Sequence, residues 1–280
     1  MFGRSLYAVF AVVALTATAT ACGGGGGQDT YDSVVDKAKN DKKLVIGVKA
    51  DQPGLGLRTP DGGFSGFDIE IAKYVAKSLG VEAKDITFKE TVSANREAFL
   101  QQGQVDMVVA TYSITDARKQ KVSFAGPYFV AGQDLLVRAD DTALTGPDTL
   151  NGKKLCSVAG STPAQKVKES YAKQVQLQEE RTYSACVDRV LGGQLDAITT
   201  DNVILAGYAA QHTGKLKLVG KPFSTEKYGI GLKKDDSAGR KAVNEALSTM
   251  FADGSWKKAL ESSFGGAGFT VPEAPKLEQY

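Results

Sequence analysis

The feature that most constrains this chain is a short pattern that occurs twice, ninety residues apart. Gly103-Gln-Val-Asp106 leads through an apolar run into Ala110-Thr111, and Gly193-Gln-Leu-Asp196 leads through Ala197-Ile-Thr-Thr into Asp201. Aligned on Gly-Gln-x-Asp, Thr111 and Asp201 fall at the same point, just past the apolar run. A glycine before such a run and polar residues after it mark a strand. In open α/β sheets ligands sit outside the carboxyl ends of strands. Two similar units would therefore each present polar groups to a shared crevice, hydroxyls and an arginine from one side and a carboxylate from the other. That pairing suits a zwitterion such as an amino acid.

The remaining pattern supports two such units. Strands are expected over residues 44–48, 86–89 and 105–110, alternating with helices over 67–79 and 96–102. In the first helix Phe67, Ile71, Tyr74, Val75 and Leu79 share one face. A second series follows: strands over 155–158, 175–178 and 197–199, and helices over 162–174, 184–191 and 202–211. Strand–helix alternation of this kind implies an α/β protein, each lobe a mostly parallel sheet flanked by helices. Residues 134–138 and 228–232 read as further strands, and residues 238–252 and 255–264 as closing helices. The expected organisation is 42–137 for the first part of lobe 1, 138–227 for lobe 2 and 228–265 for the return to lobe 1. Two hinge crossings fall near 135–140 and 222–228. Residues 266–280, with Pro272 and Pro275, read as an extended C-terminal tail.

The N-terminus reads as a targeting segment. Arg4 precedes an apolar run from Leu6 to about Ala19, followed by Thr20-Ala21-Cys22. A charged start, a short apolar stretch and small residues before a cut site describe an export signal over residues 1–21. The run is at the short end of the ~17–25 residues that span a bilayer. Ala19-Thr20-Ala21-Cys22 resembles a bacterial lipobox, with alanine where leucine is more usual, and marks Cys22 for lipidation. Gly23–Gly27 and the residues to 41 then read as a flexible tether. No Gly-Lys-Ser/Thr follows the glycines, so they are not a phosphate loop. Two cysteines remain, Cys156 and Cys186. In an exported protein such a pair is expected to form a disulfide, two separate buried thiols being the alternative. With one histidine in the chain, His212, zinc is not expected.

The 280 residues carry 34 Lys plus Arg against 32 Asp plus Glu, a balance without the basic excess of a nucleic-acid binder. Catalysis by a Ser-His-Asp or Cys-His device would have to use His212, far in sequence from every crevice candidate. Among ligand candidates Arg118 stands first: a guanidinium matches a carboxylate bidentately, and here it follows Thr111-Tyr-Ser113-Ile-Thr115 at a helix start. The plainer alternative is a surface pair with Asp116. Ser161-Thr162-Pro163 makes a second anion-friendly corner, Thr162 as N-cap and Pro163 as first helical residue. Asp201 suits an ammonium group, its alternative being a helix cap. Arg96, Arg58 and Lys49 are candidates for a cationic side-chain pocket, with two of the three expected to be solvated.

At these residues the chain is similar to the extracytoplasmic solute-binding proteins of ABC amino-acid transporters, of the two-lobed type II periplasmic-binding-protein fold. The resemblance rests on Gly66-Phe-Asp68-Ile-Glu70-Ile-Ala72, Ala110-Thr-Tyr-Ser-Ile-Thr-Asp-Ala-Arg118, Phe124-Ala-Gly-Pro-Tyr128, Gly160-Ser-Thr162 and Tyr228-Gly-Ile-Gly-Leu-Lys-Lys234. The loop Asp51-Gln-Pro-Gly-Leu-Gly-Leu-Arg58, Leu155-Cys156-Ser-Val and Tyr183-Ser-Ala-Cys186-Val resemble, within that family, the glutamate-binding lipoproteins of Gram-positive uptake systems. The resemblance implies that Arg118 binds an α-carboxylate, helped by Thr111, Ser113, Thr115 and Thr162, and that Asp201 holds the α-ammonium. It implies that Arg96, with Ser93, binds a side-chain carboxylate; Tyr183 stands where related acidic-amino-acid binders have histidine. The implied protein is a monomeric receptor without a cofactor. It would take L-glutamate, with aspartate or glutamine as alternatives, and pass it to a permease and ATPase from the outer face of the cell membrane. Rival readings are a dehydratase-like enzyme on the same fold and a sensory module.

Overall fold

The computed structural model describes Phe2 and residues 31–170, 174–264 and 271–280. Apart from Phe2, the expected export signal over residues 1–21, Cys22 and the glycines that follow lie outside the described residues. Tyr31–Tyr280 form one compact unit.

The chain enters through α1 (Val34–Asp41), which Ser33 caps by accepting from Val35 N. Val34 and Ala38 are buried, and Val34 N donates to Asp236 Oδ2 at 2.9 Å. Residues 34–41, expected to belong to the tether, are therefore a packed helix. Strand β1 (Leu44–Val48) follows, then three short strands, β2 (Asp51–Gln52), β3 (Gly56–Arg58) and β4 (Phe64–Ser65), in a small antiparallel sheet. Helix α2 (Phe67–Ser78) buries Phe67, Ile71 and Val75. Phe67 meets Tyr128, Phe129 and Trp256 with ring centroids 5.8–6.1 Å apart. Full burial of such side chains contributes ~1.5–3 kcal/mol each. Then come β5 (Ile86–Glu90), α3 (Arg96–Gln101), β6 (Met107–Val108) and α4 (Asp116–Lys119).

Strand β7 (Ser123–Ala131) does not follow from the sequence pattern. Its Gly126-Pro127 reads locally as a turn. The strand lies at a sheet edge, where a missing N–H is tolerated. After Gly132 the chain passes into β8 (Gln133–Arg138), which belongs to the other sheet. The first crossing is thus at Gly132, and the expected lobe boundary after 137 falls inside β8. The second lobe continues with β9 (Lys154–Val158), α5 (Pro163–Ser170), β10 (Gln176–Glu180), α6 (Tyr183–Leu191), β11 (Ala197–Asp201), α7 (Asn202–Gln211) and β12 (Leu216–Leu218). The return strand β13 (Glu226–Leu232) rejoins the first sheet, so the second crossing spans residues 219–225. Helices α8 (Ser237–Ala252) and α9 (Ser255–Phe264) pack on lobe 1.

The first sheet has the order β5-β1-β6-β13-β7 and the second β10-β9-β11-β8-β12. In each, three parallel strands meet an antiparallel pair supplied by the crossing segments. Cys156 on β9 and Cys186 on α6 are joined by a disulfide, Cα atoms 5.7 Å apart. The last ten residues, expected as an extended tail, have no regular structure yet are docked. Val271, Ala274 and Leu277 pack on the main core and Tyr280 on a neighbouring cluster, while Glu278 N donates to Gly126 O at 2.9 Å.

Candidate functional site

The carboxyl ends of β6 and β11 face one small polar cavity between the lobes. Of the twelve candidate residues, nine line it: Ser93, Arg96, Thr111, Ser113 and Arg118 from lobe 1, and Ser161, Thr162, Tyr183 and Asp201 from lobe 2. Pro163, Thr200 and Ile204 line it as well. Thr200 sits in the repeated pattern one residue before Asp201, so the repeat itself could have flagged it.

Arg118 is buried. Thr115 caps its short helix, accepting from Arg118 N at 3.3 Å. Thr115 is not among the residues lining the cavity, and its hydroxyl is engaged in this cap. The Arg118 guanidinium donates to Ser113 O at 2.7 Å and, across the cleft, to Gly160 O at 3.0 Å. Its Nε lies 3.4 Å from Glu97 Oε1. Asp116, the surface partner considered from sequence, pairs with Lys119 instead. The lobes come close here: a Cβ on Gly160 would lie 2.6 Å from Ala94 Cα, and the residue has φ +76°.

Arg96 is buried and, among the described residues, donates to main-chain oxygens within its own lobe, Ser93 O at 3.3 Å, Ala110 O at 3.2 Å and Thr111 O at 3.4 Å. Among the described residues it joins no ion pair. Tyr112 lies against both guanidiniums, 4.1 Å from Arg96 and 5.0 Å from Arg118. Burial, with the Arg118 charge beside it, lowers the Arg96 pKa to about 10. Lys49 is not solvated either, so one of the three cationic candidates, and not the expected two, faces solvent. Lys49 is buried behind Ser93, donating to Ser93 Oγ at 2.7 Å, and desolvation, followed by the Arg96 charge, pushes it down to about 7. Arg58 is the solvated one: its side chain is 48% exposed, 3.7 Å from Glu90 and over the Phe64 ring, away from the cavity.

Thr111 is held at φ +45°. Its N–H donates to Asp68 Oδ2 at 2.8 Å, and Tyr128 donates to the other Asp68 oxygen at 2.8 Å. Burial raises the Asp68 carboxyl to about 6 despite these bonds. In the sequence Asp68 stands out only as part of a motif; its role depends on a strand end 43 residues away.

Asp201 ends β11 and occupies the N-cap position of α7, but its side chain makes no capping bond. Tyr228 donates to its Oδ2 at 2.6 Å, and its buried Oδ1 has no partner among the described residues. Burial, then the Glu226 charge, raises its pKa to about 7. An ammonium group would satisfy the empty acceptor and return the carboxyl to its charged form. Tyr183 is buried, its hydroxyl accepting from Thr200 Oγ1 at 2.7 Å.

The arrangement is that of a receptor for a small charged solute, two buried guanidiniums facing a buried carboxylate across a cleft. The chain matches the bacterial extracellular solute-binding proteins, family 3, over residues 44–266, and belongs to that family. It is 44% identical to the glutamate-binding protein GluB of Corynebacterium glutamicum over 96% of this chain and 95% of that protein. It is 39% identical to the ABC transporter glutamine-binding protein GlnH of Bacillus subtilis over 91% of this chain and 93% of that one. The solved structure of an ancestral arginine-binding protein bound to glutamine superposes with a TM-score of 0.75, at 35% identity over 80% of this chain and 98% of that chain.

Proposed function

We propose that this protein is the substrate-binding lipoprotein of an ABC importer and captures L-glutamate between its lobes. The observation that carries the reading is the charge layout of the cavity, with Arg118 and Arg96 on one wall and Asp201, with its unpartnered oxygen, on the other. An acidic amino acid carries two carboxylates and one ammonium, which call for two cations and one anion. In this reading Arg118, with Ser113 and Thr111, takes the α-carboxylate, and Asp201 takes the ammonium. The side-chain carboxylate lies against Arg96 and Ser93, with Lys49 behind. A ligand so placed touches both lobes at once, so it has higher affinity for the closed form and shifts the population toward it. No bond is made or broken. The likeness to GluB supports glutamate over aspartate.

Glutamine is the second reading, favoured by the likeness to GlnH. A side-chain amide would leave Arg96 and Lys49, two buried cations, without a compensating anion, which is costly. Calorimetric titration of the twenty amino acids against protein lacking the first 30 residues decides between them. Glutamate should bind one per chain and more tightly than any other. Tighter glutamine or arginine would overturn the assignment. Lipidation of Cys22 and attachment to the outer face of the membrane belong to the same reading. Mass spectrometry of the mature N-terminal peptide from membranes should find an acylated, palmitate-bearing Cys22; an unmodified cysteine there would remove the anchor.

A further inference from the structure

Outside the cavity, a second set of contacts joins the lobes, and it centres on one carboxylate. Asp51 opens β2 in lobe 1, and its Oδ2 accepts from Tyr183 N at 2.9 Å, Ser184 N at 3.2 Å and the Tyr208 hydroxyl at 3.1 Å. Tyr208 also hydrogen-bonds the Asp51 carbonyl oxygen. All of these donors belong to α6 and α7 of lobe 2. The N-cap Thr182 accepts from Ala185 N, and Asp51 takes the two preceding N–H groups, which have no intrahelical acceptor. The positive end of the α6 dipole favours the charge there. Next to it, Gly207 of α7 lies so close to the 51–53 loop that a Cβ would stand 2.2 Å from Pro53 O. Asp51 does not line the cavity, but its main-chain partner Tyr183 does.

We infer that Asp51 is a positioning residue for solute capture, a latch that binds lobe 2 directly and seats Tyr183 without touching the solute. The inference rests on the proposal that the lobes close around an amino acid. A carboxylate exposed in an open form exchanges water for three donors on closing, so part of the closing free energy comes from the protein itself. Hydrogen bonds to a charged group are individually strong enough for their loss to weaken solute binding roughly 10- to 100-fold.

The test uses Asp51→Ala, Tyr208→Phe and Gly207→Ala, each checked for a native melting transition. Interlobe distance is read by fluorescence energy transfer between one dye on each lobe, with and without glutamate, and affinity by calorimetry. Asp51→Ala should weaken glutamate roughly 10- to 100-fold with the ranking of amino acids unchanged, and lengthen the mean interlobe distance without ligand. Tyr208→Phe should act in the same direction and less. Gly207→Ala adds a good helix former yet meets Pro53 O only when the lobes are together, so it should also open the protein and weaken binding. A folded Asp51→Ala or Gly207→Ala protein with wild-type distances and affinity overturns the latch. If the wild-type protein binds no amino acid, the proposed function fails. The ligand-free distances then judge the latch alone: lengthening in the variants upholds it, and unchanged distances refute it.

Discussion

Asp106 and Asp196 play the same part in the two lobes. Each Oδ2 accepts from the main chain of a neighbouring strand segment, Asp106 from Val45 N at 2.7 Å and Asp196 from Lys154 N at 2.7 Å. Each N–H returns a bond to that residue, at 2.8 and 2.9 Å. In each repeat the glutamine N–H closes the preceding helix, Gln104 on Phe99 O and Gln194 on Arg189 O. The Gly-Gln-x-Asp pattern is thus a strand-docking device used twice. Five residues further on the lobes part ways. Thr111 turns to φ +45° under the hold of Asp68, while Asp201 stays extended and leaves an oxygen open. The lobes share their support and differ at the strand tips, where lobe 1 is cationic and lobe 2 anionic.

That division is most easily broken at Arg118. Arg118→Ala should cost ~2–5 kcal/mol of binding, roughly 30- to several-thousand-fold, because it strips the α-carboxylate of its partner. A folded variant with unchanged affinity in calorimetry would end the cationic assignment of lobe 1. The disulfide tests lobe 2 alone. It closes a loop of 30 residues, for which chain-entropy arguments give about 3–4 kcal/mol. Reduction should lower the melting temperature by on the order of 10 °C, with binding retained while the fold survives; scanning calorimetry with and without reductant measures it. An unchanged transition after complete reduction would remove the stabilising role.

Asp201→Asn keeps the shape and removes the charge, and should cost about 2–3 kcal/mol, roughly 30- to 150-fold, for every amino acid alike. Arg96→Ala should act differently. Glutamate should lose roughly 10- to 100-fold and glutamine less than about threefold; equal losses would mean that Arg96 merely supports its lobe.

The smallest effect is in pH, and its two limbs belong to different lobes. Asp201 must be charged to hold an ammonium, and its pKa is about 7. Affinity should therefore fall below pH 7, by at most about tenfold per unit. Lys49 must be charged to support a side-chain carboxylate, and its pKa is also about 7. Glutamate should therefore lose affinity above pH 7 as well, while a neutral side chain keeps it. Calorimetry of both ligands from pH 5 to 9 checks this; a glutamate curve with no alkaline limb would remove Lys49 from the site.

Much of this was legible in the sequence because it depends on short-range rules. The repeat, the amphipathic stripe of α2, the α7 and α9 bounds and the proline opening α5 follow from spacing and local capping. Arg118 and Asp201 stood out because each ends a recognisable strand-to-helix unit. What stayed hidden depends on partners distant in the chain. Arg58 and Lys49 are chemically alike and nine positions apart, yet one is solvated and the other buried behind Ser93, since burial is decided by how β1, the 51–58 loop and β5 pack. Thr115, which the resemblance assigns to a ligand, also caps the helix of Arg118 through its hydroxyl, and a residue's type alone does not reveal that bond. Strand β7 was masked by Gly126-Pro127, acceptable only at a sheet edge. Asp51, 132 residues from Tyr183, carried no local signal. By itself the sequence determined the strand–helix units and which residues could meet a charged solute. The tertiary structure alone decided which of them line the cavity, because desolvation and hydrogen-bond pairing between lobes arise only when segments far apart in the chain are brought together.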